Sequence, residues 1–347
     1  SYIGYESYEV SVNKSSQLKI SLKLLNSTAD EIVVIGYGSA RKTNLTGAVS
    51  SVTSKDIASL PLTGFDQALQ GRASGVQVTQ NSGTPGGSVS IRIRGVGSLT
   101  SSTEPLYVVD GVPMVQANGT LNSINPNDIE RIDVLKDAAS ASIYGSRATN
   151  GVILVTTKRG KTGKLSLNFD TYAGTQQSVK KIDLLNGPQF AKLANENLVN
   201  GGQTANPEWS NAASLPSTDW QDAIFRNAPI QNYNVSVSSG GEKSRTFISA
   251  SYFNQKGIQI ASDYSRYTVR SNTDFDVSKK LKFGLTMNFS HDNQNQGDVK
   301  GTLRNAIRLM PVNGVYAAQE GQITPSLFGW KGYNLIGGNS VSAVYAC

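Results

Sequence analysis

The sequence holds a single cysteine, Cys347, and a single histidine, His291, among 347 residues. A disulfide framework and a Cys/His metal site are thereby excluded within it. A Ser-His-Asp arrangement would have to use His291, which closes an alternating strand pattern with no nucleophile signature beside it. A strand-end histidine at a polar boundary is its expected place. No apolar run approaches the ~18 residues that a membrane helix needs, so contact with a bilayer would require a closed barrel. Charged residues are scarce at 16%, against roughly 25% in typical soluble domains. The net charge is +7, yet the 32 Lys and Arg are scattered and no basic run is interleaved with stacking aromatics, which argues against nucleic-acid binding. An initiator Met and a signal peptide are also missing, so the true start is expected upstream of Ser1.

What is present is Gly, at 34 of 347, together with much Ser, Asn and Thr, a mixture suited to many short strands and loops. In residues 1 to 25 the apolar positions Leu18, Ile20, Leu22 and Leu24 alternate strictly, which predicts a hairpin with its turn near Asn13 to Ser16. Next come Glu31, Ile32, Val33, Val34, Ile35, Gly36, Tyr37 and Gly38. The Gly36-x-Gly38 pair suggests a dinucleotide fingerprint, but Arg41 stands at its sixth position and no helical apolar spacing follows to hold a pyrophosphate. An extended, β-prone stretch flanked by flexible polar residues instead offers backbone groups that another protein can pair as an added strand, or serves as an edge strand of what precedes it.

From Leu45 to Gln80 the sequence predicts a strand over 48–52, a short helix over Phe65 to Gln70 ended by Gly71, and a strand over 76–78. Asn81 to Gly87 is a loop by composition. Between Ser88 and Lys161 four β-branched runs separated by Gly, Pro and Asn read as a compact mixed α/β unit. Asn125-Pro126 supplies an N-cap followed by proline, Asp137 can cap a small-residue helix from Ala138 to Ile143, and Gly145 and Gly151 mark the return into a strand.

Ile91-Arg-Ile-Arg-Gly95, Tyr107-Val-Val-Asp-Gly111, Ile129-Glu-Arg-Ile-Asp-Val-Leu-Lys136 and Tyr144-Gly-Ser-Arg-Ala-Thr-Asn-Gly-Val-Ile153 stand in one order. Together they resemble the plug of TonB-dependent outer-membrane transporters, and within them the SusC/RagA family. The resemblance implies four regions: 1–26, the end of a carboxypeptidase-regulatory-like β-sandwich; 27–44, the TonB box, placed at Glu31 to Gly38, with a linker; 45–160, the plug; and 161–347, the first barrel strands and loops. The charged plug residues Arg92, Arg94, Asp110, Arg131 and Asp133 would be costly against an apolar wall but tolerable in a polar lumen, where plug-to-barrel ion pairs are their expected work.

Beyond Gly160 five segments alternate with period two, from Leu165-Ser-Leu-Asn-Phe169 to Leu281-Lys-Phe-Gly-Leu285 and onward to Ser290. Long connections, 175 to 230 and 292 to 347, alternate with short ones at Gly240 to Lys243 and Ser278 to Lys280, as two different barrel rims require. The expected fold class is an α+β plug followed by antiparallel strands of an incomplete transmembrane β-barrel, about five strands of the ~22 in the large-transporter class. On the long loops, Trp209, Trp220 and Trp330 are candidates to stack on sugar rings or cover peptide side chains, with loop anchoring or an interfacial girdle as the alternative.

By resemblance the chain is not an enzyme and needs no cofactor. Its implied partners are TonB of the inner-membrane complex, a SusD-like surface lipoprotein, an oligosaccharide or oligopeptide substrate and outer-membrane lipid. The implied place is the Gram-negative outer membrane, with the plug inside the barrel and the N-terminus periplasmic. A TonB-dependent signal transducer and a soluble β-rich surface-binding protein are the competing readings.

Overall fold

The structure, a computed structural model, describes residues 32–35, 38–41, 49–58, 62–95, 103–114, 122–137, 141–278, 280–297 and 299–313. The expected hairpin in residues 1 to 25, part of the expected helix from Ala138, and Trp330 lie outside the described residues. The chain divides into two units, Ser1–Asn81 with Ser88–Arg159, and Ser82–Gly87 with Gly160–Cys347.

In the first unit, β1 (Ile32–Ile35) and β2 (Gly38–Arg41) form an antiparallel hairpin with Ile32 opposite Arg41. The main sheet has the order β3-β8-β9-β6-β7, built from β3 (Val49–Thr53), β6 (Leu106–Val109), β7 (Val112–Met114), β8 (Ile129–Leu135) and β9 (Val152–Thr157). Only β6 and β9 run parallel in it. A second hairpin pairs β4 (Val76–Gln80) with β5 (Val89–Ile93).

Strands β6 and β9 are covered on both faces, which is why they read as unbroken apolar runs rather than alternating ones. Tyr107, Ile132, Val134, Ile153 and Val155 join Phe65, Leu69 and Ile91 in the larger cluster. Val108, Leu135, Val152 and Leu154 form the smaller one on the other side with Ala141 and Ala148. The Asp110-Gly111 pair closes β6 onto β7 with φ of 48° and 88°, the left-handed values of a two-residue hairpin. Helix α1 (Ser54–Ala58) starts where Thr53 N and Thr53 Oγ1 both donate to Asp56 Oδ2, at 3.0 and 2.7 Å, so the Asp56 carboxylate caps the first turn.

In the second unit, β10 (Gly163–Gln176), β11 (Ala228–Gly240), β12 (Ser244–Lys256), β13 (Ser262–Asp276) and β14 (Lys282–Gln296) form one antiparallel meander in chain order. These strands run longer than the period-two segments, because polar residues continue the pairing past the last apolar side chain at each end. Helices α2 (Gly187–Asn200), α3 (Trp220–Ile224) and α4 (Val299–Arg308) belong to the long connections. Trp220 and Ile224 of α3 pack on Ala306 of α4.

Candidate functional site

Period-two alternation puts two chemistries on the two faces of the five-stranded sheet. One face carries Leu165, Leu167 and Phe169 of β10, Tyr233 and Val235 of β11, Ile248 of β12, Tyr267 and Val269 of β13, and Phe283, Leu285, Met287 and Phe289 of β14, all exposed. The other face buries polar side chains on the three inner strands: Asn232, Asn234, Ser249, Ser251, Arg266, Thr268, Arg270 and Asn272. Val269 is 49% exposed while its neighbour Arg270 is 3% exposed, the reverse of a water-soluble protein. A sheet with its polar side inward and a continuous apolar side outward is the pattern of a barrel wall in lipid.

Hydrogen bonds link several of the polar side chains on this buried face, which lowers the cost of holding them away from water. The hydroxyls of Ser251 and Thr268 share a hydrogen bond at 2.6 Å. Asn234 Nδ2 donates to Asp170 Oδ2 at 3.4 Å, and the Arg266 guanidinium lies 5.5 Å from the Phe253 ring centre. On the exposed face Tyr233, Tyr252, Tyr267 and His291 stand opposite one another in a single row across β11 to β14.

The stretch Glu31 to Gly38 contributes β1, and its partner β2 begins at Gly38; Glu31, Gly36 and Tyr37 lie outside the described residues. Of the charged residues in the first unit, Arg92 is exposed on β5. Arg94, at φ 57°, forms an ion pair with Asp137 and donates to the Lys136 carbonyl at 3.5 Å. Asp110 takes Thr157 N and Oγ1 at 2.9 and 2.7 Å, tying the β6–β7 turn to the end of β9. Arg131 pairs with Asp133 at 3.0 Å, and Asp133, only 1% exposed, also accepts from Ser51 Oγ at 2.6 Å. These bonds all join residues of the first unit.

One polar cluster was not visible in the sequence. Lys136 Nζ donates to Ser74 Oγ at 2.9 Å and to Ser50 Oγ, joining residues 62 and 86 positions away. Burial, with the Arg94 charge beside it, holds the Lys136 ammonium below its ordinary pKa. Desolvation pushes the Tyr107 phenol well above its usual value, and Asp66 and Glu104 push it in the same direction.

In the long connection after β10, Trp209 is buried edge-on against Phe190 with ring centres 5.7 Å apart. Trp220 is 3% exposed and donates Nε1–H to the Met310 carbonyl at 3.0 Å. Both indoles are therefore spent on packing within and between the long connections. Helix α2 was missed by sequence reasoning, although Asn186, Pro188 and Gln189 spell its start: Asn186 Oδ1 accepts from Gln189 N at 2.9 Å while Gln189 Oε1 accepts from Asn186 N at 3.1 Å.

Comparison with known proteins gives one consistent result. A family model described as the TonB-dependent receptor plug domain matches residues 41–152. TonB-dependent receptor P26 of Formosa agariphila is 43% identical over 319 residues, covering 91% of this chain and 32% of that protein. TonB-dependent receptor SusC of Bacteroides thetaiotaomicron is 35% identical over 92% of this chain and 32% of its own length. Among solved structures, the RagAB peptide importer in its closed-closed state superposes with a TM-score of 0.67 at 28% identity, over 74% of this chain and 32% of that one. The chain thus spans about a third of the length of the relatives it matches.

Proposed function

We propose that this chain, one of the SusC/RagA-like TonB-dependent receptors, serves TonB-driven uptake of oligosaccharides or oligopeptides across the outer membrane. The observation that carries the reading is the inverted sheet, apolar outward and polar inward, directly following a plug-family domain. An outer membrane has no nucleotide supply, so uphill uptake draws its energy from the inner membrane.

Residues 31 to 38 are the handle in this mechanism. Among the described residues β1 is paired on one edge by β2 and by no strand on the other, which leaves a row of backbone groups for a TonB strand to join. Tension entering there meets β3 next, and among the described residues β3 is an edge strand bonded only to β8. An edge strand can be peeled while the inner strands β8, β9 and β6 hold together, so the plug opens at a cost well below its global stability. A SusD-like surface lipoprotein, the partner class of this family, would deliver the substrate from outside. Among the relatives RagAB is a peptide importer, which supports the oligopeptide class, and the name of SusC, a TonB-dependent receptor, carries no substrate.

The test is deletion of residues 31 to 38 in the full-length receptor, with cells offered a panel of fluorescently labelled oligosaccharides and oligopeptides. Uptake of the accepted class should vanish while heat-modifiable migration in detergent gels, the mark of an assembled barrel, is kept. Undiminished uptake overturns the coupling assignment.

A further inference from the structure

The connection between β4 and β5 departs from the unit that contains both strands. Ser82–Gly87 belongs with the long strands of the second unit, although Asn81 and Ser88 on either side belong to the first. Thr84-Pro85-Gly86-Gly87 is a tight turn in which Gly87 N donates to Thr84 O at 3.0 Å. Proline presets φ at its second position, and Gly86 supplies φ 69° at its third, as a type II turn demands. Thr84 N donates to Ser82 Oγ at 3.4 Å, and Asn81 N to Ser88 O at 3.4 Å, closing the base.

This rigid turn is seated on β13 and β14. Thr84, Pro85 and Gly86 are all buried. Gln294 Nε2 donates to the Pro85 carbonyl at 2.7 Å, across 209 residues of sequence. Gly86 lies flat on Tyr264: a Cβ there would stand 2.8 Å from the ring's Cγ, so no other residue fits without displacing the ring. Tyr264 cannot yield easily, being 1% exposed and packed against Phe253 at 6.1 Å between ring centres.

We propose that the Ser82–Gly87 turn is the anchor at which N-terminal peeling stops: the chain ahead of it comes away under load while the turn keeps its seat. The inference rests on the reading that tension enters at residues 31 to 38. The β4–β5 ladder is loaded one pair at a time, whereas at the turn the Gln294 bond and the buried Pro85 and Gly86 contacts must break together. Displacement of the plug is then partial and reversible, because a registered point on the wall remains from which β4 and β5 can pair again.

The anchor is tested by single-molecule pulling on the full-length receptor in a phospholipid bilayer, through a handle at Asp30→Cys in a background with every other cysteine, Cys347 included, changed to Ser. Release of the chain from Ile32 to Asn81 should add roughly 170 Å of extension, at about 3.4 Å per residue, and then pause before a second rupture at higher force. Gly86→Val should abolish the pause, and Gln294→Ala, which removes a single hydrogen bond and no backbone fit, should lower the second rupture force. A trace that runs past Asn81 without pausing, or a pause of the same force in both variants, overturns the proposal. Pulling reads the anchor and uptake after the 31 to 38 deletion reads the coupling, so each can fail without the other.

Discussion

Tyr252 and Tyr267 stand directly opposite each other on β12 and β13, with ring centres 4.7 Å apart, on the face that carries the exposed apolar side chains. The row they share with Tyr233 and His291 has a counterpart lower on the same face, where Phe275 faces Phe283 with centres 6.3 Å apart. At about 3.3 Å per residue, Tyr267 to Phe275 spans roughly 26 Å along the strand. A barrel's apolar band between aromatic girdles is ~25 Å tall, so the two rows mark its borders.

Depth in that band sets the first prediction. Met287 lies opposite Ser271, midway between the rows, and His291 lies in the upper row. Met287→Arg should destabilise the full-length barrel by about 2–4 kcal/mol, and His291→Arg by only about 0–1 kcal/mol. Denaturant unfolding in lipid vesicles measures both; equal costs would remove the depth assignment.

Ser51 and Asp133 give the second. They are paired in register on β3 and β8, and the buried carboxylate depends on the Ser51 hydroxyl and on Arg131. Ser51→Ala leaves one buried oxygen short of a donor and should cost about 1.5–3 kcal/mol, the range for a hydrogen bond to a charged group. Hydrogen exchange of the β3 and β8 amides is the readout, and faster exchange confined to those two strands is expected.

Acid sensitivity of α1 is the third. Hydrogen bonds from the Thr53 hydroxyl and amide hold the Asp56 carboxyl below the usual carboxylate range, with a small further pull from Arg72. A depressed folded-state pKa means that the cap's contribution is complete above the unfolded value of about 3.9 and is lost as pH falls through the lower folded value. The Asp56 carboxyl resonance should therefore titrate below that of an unfolded aspartate, and Asp56→Asn should flatten the acid dependence of α1 exchange. A resonance titrating at or above the unfolded value contradicts the cap.

Much of this architecture was legible because it follows from period. The five strands after Gly160 could be read from alternation alone, and the order of the four plug phrases fixed the identity of the domain before them. The Asn125 cap could also be read locally: its side chain accepts from Asn127 N at 3.0 Å ahead of Pro126. What escaped was non-local or unfamiliar in period. The expected helix at Phe65 is a tighter 3-10 turn ending at Leu69. Helix α2 exposes Leu193 and Val199, so its apolar stripe was too weak to separate from loop sequence, and only its capping residues carried the signal. The partners of Lys136, Asp133 and Gln294 lie 62 to 209 positions away, and no spacing rule reaches that far.

The central claim is that the face bearing Val269 meets lipid and the face bearing Arg270 does not. Spin labels placed one at a time from position 266 to 275 of β13, in the full-length receptor with its native cysteines changed to Ser, in phospholipid vesicles, test it by relaxation from oxygen and from a water-soluble nickel complex. The account predicts oxygen accessibility alternating with period two, high at 267, 269, 271, 273 and 275 and low at 266, 268, 270 and 272. Uniform access of nickel to both faces, or oxygen maxima at the even positions, would contradict it.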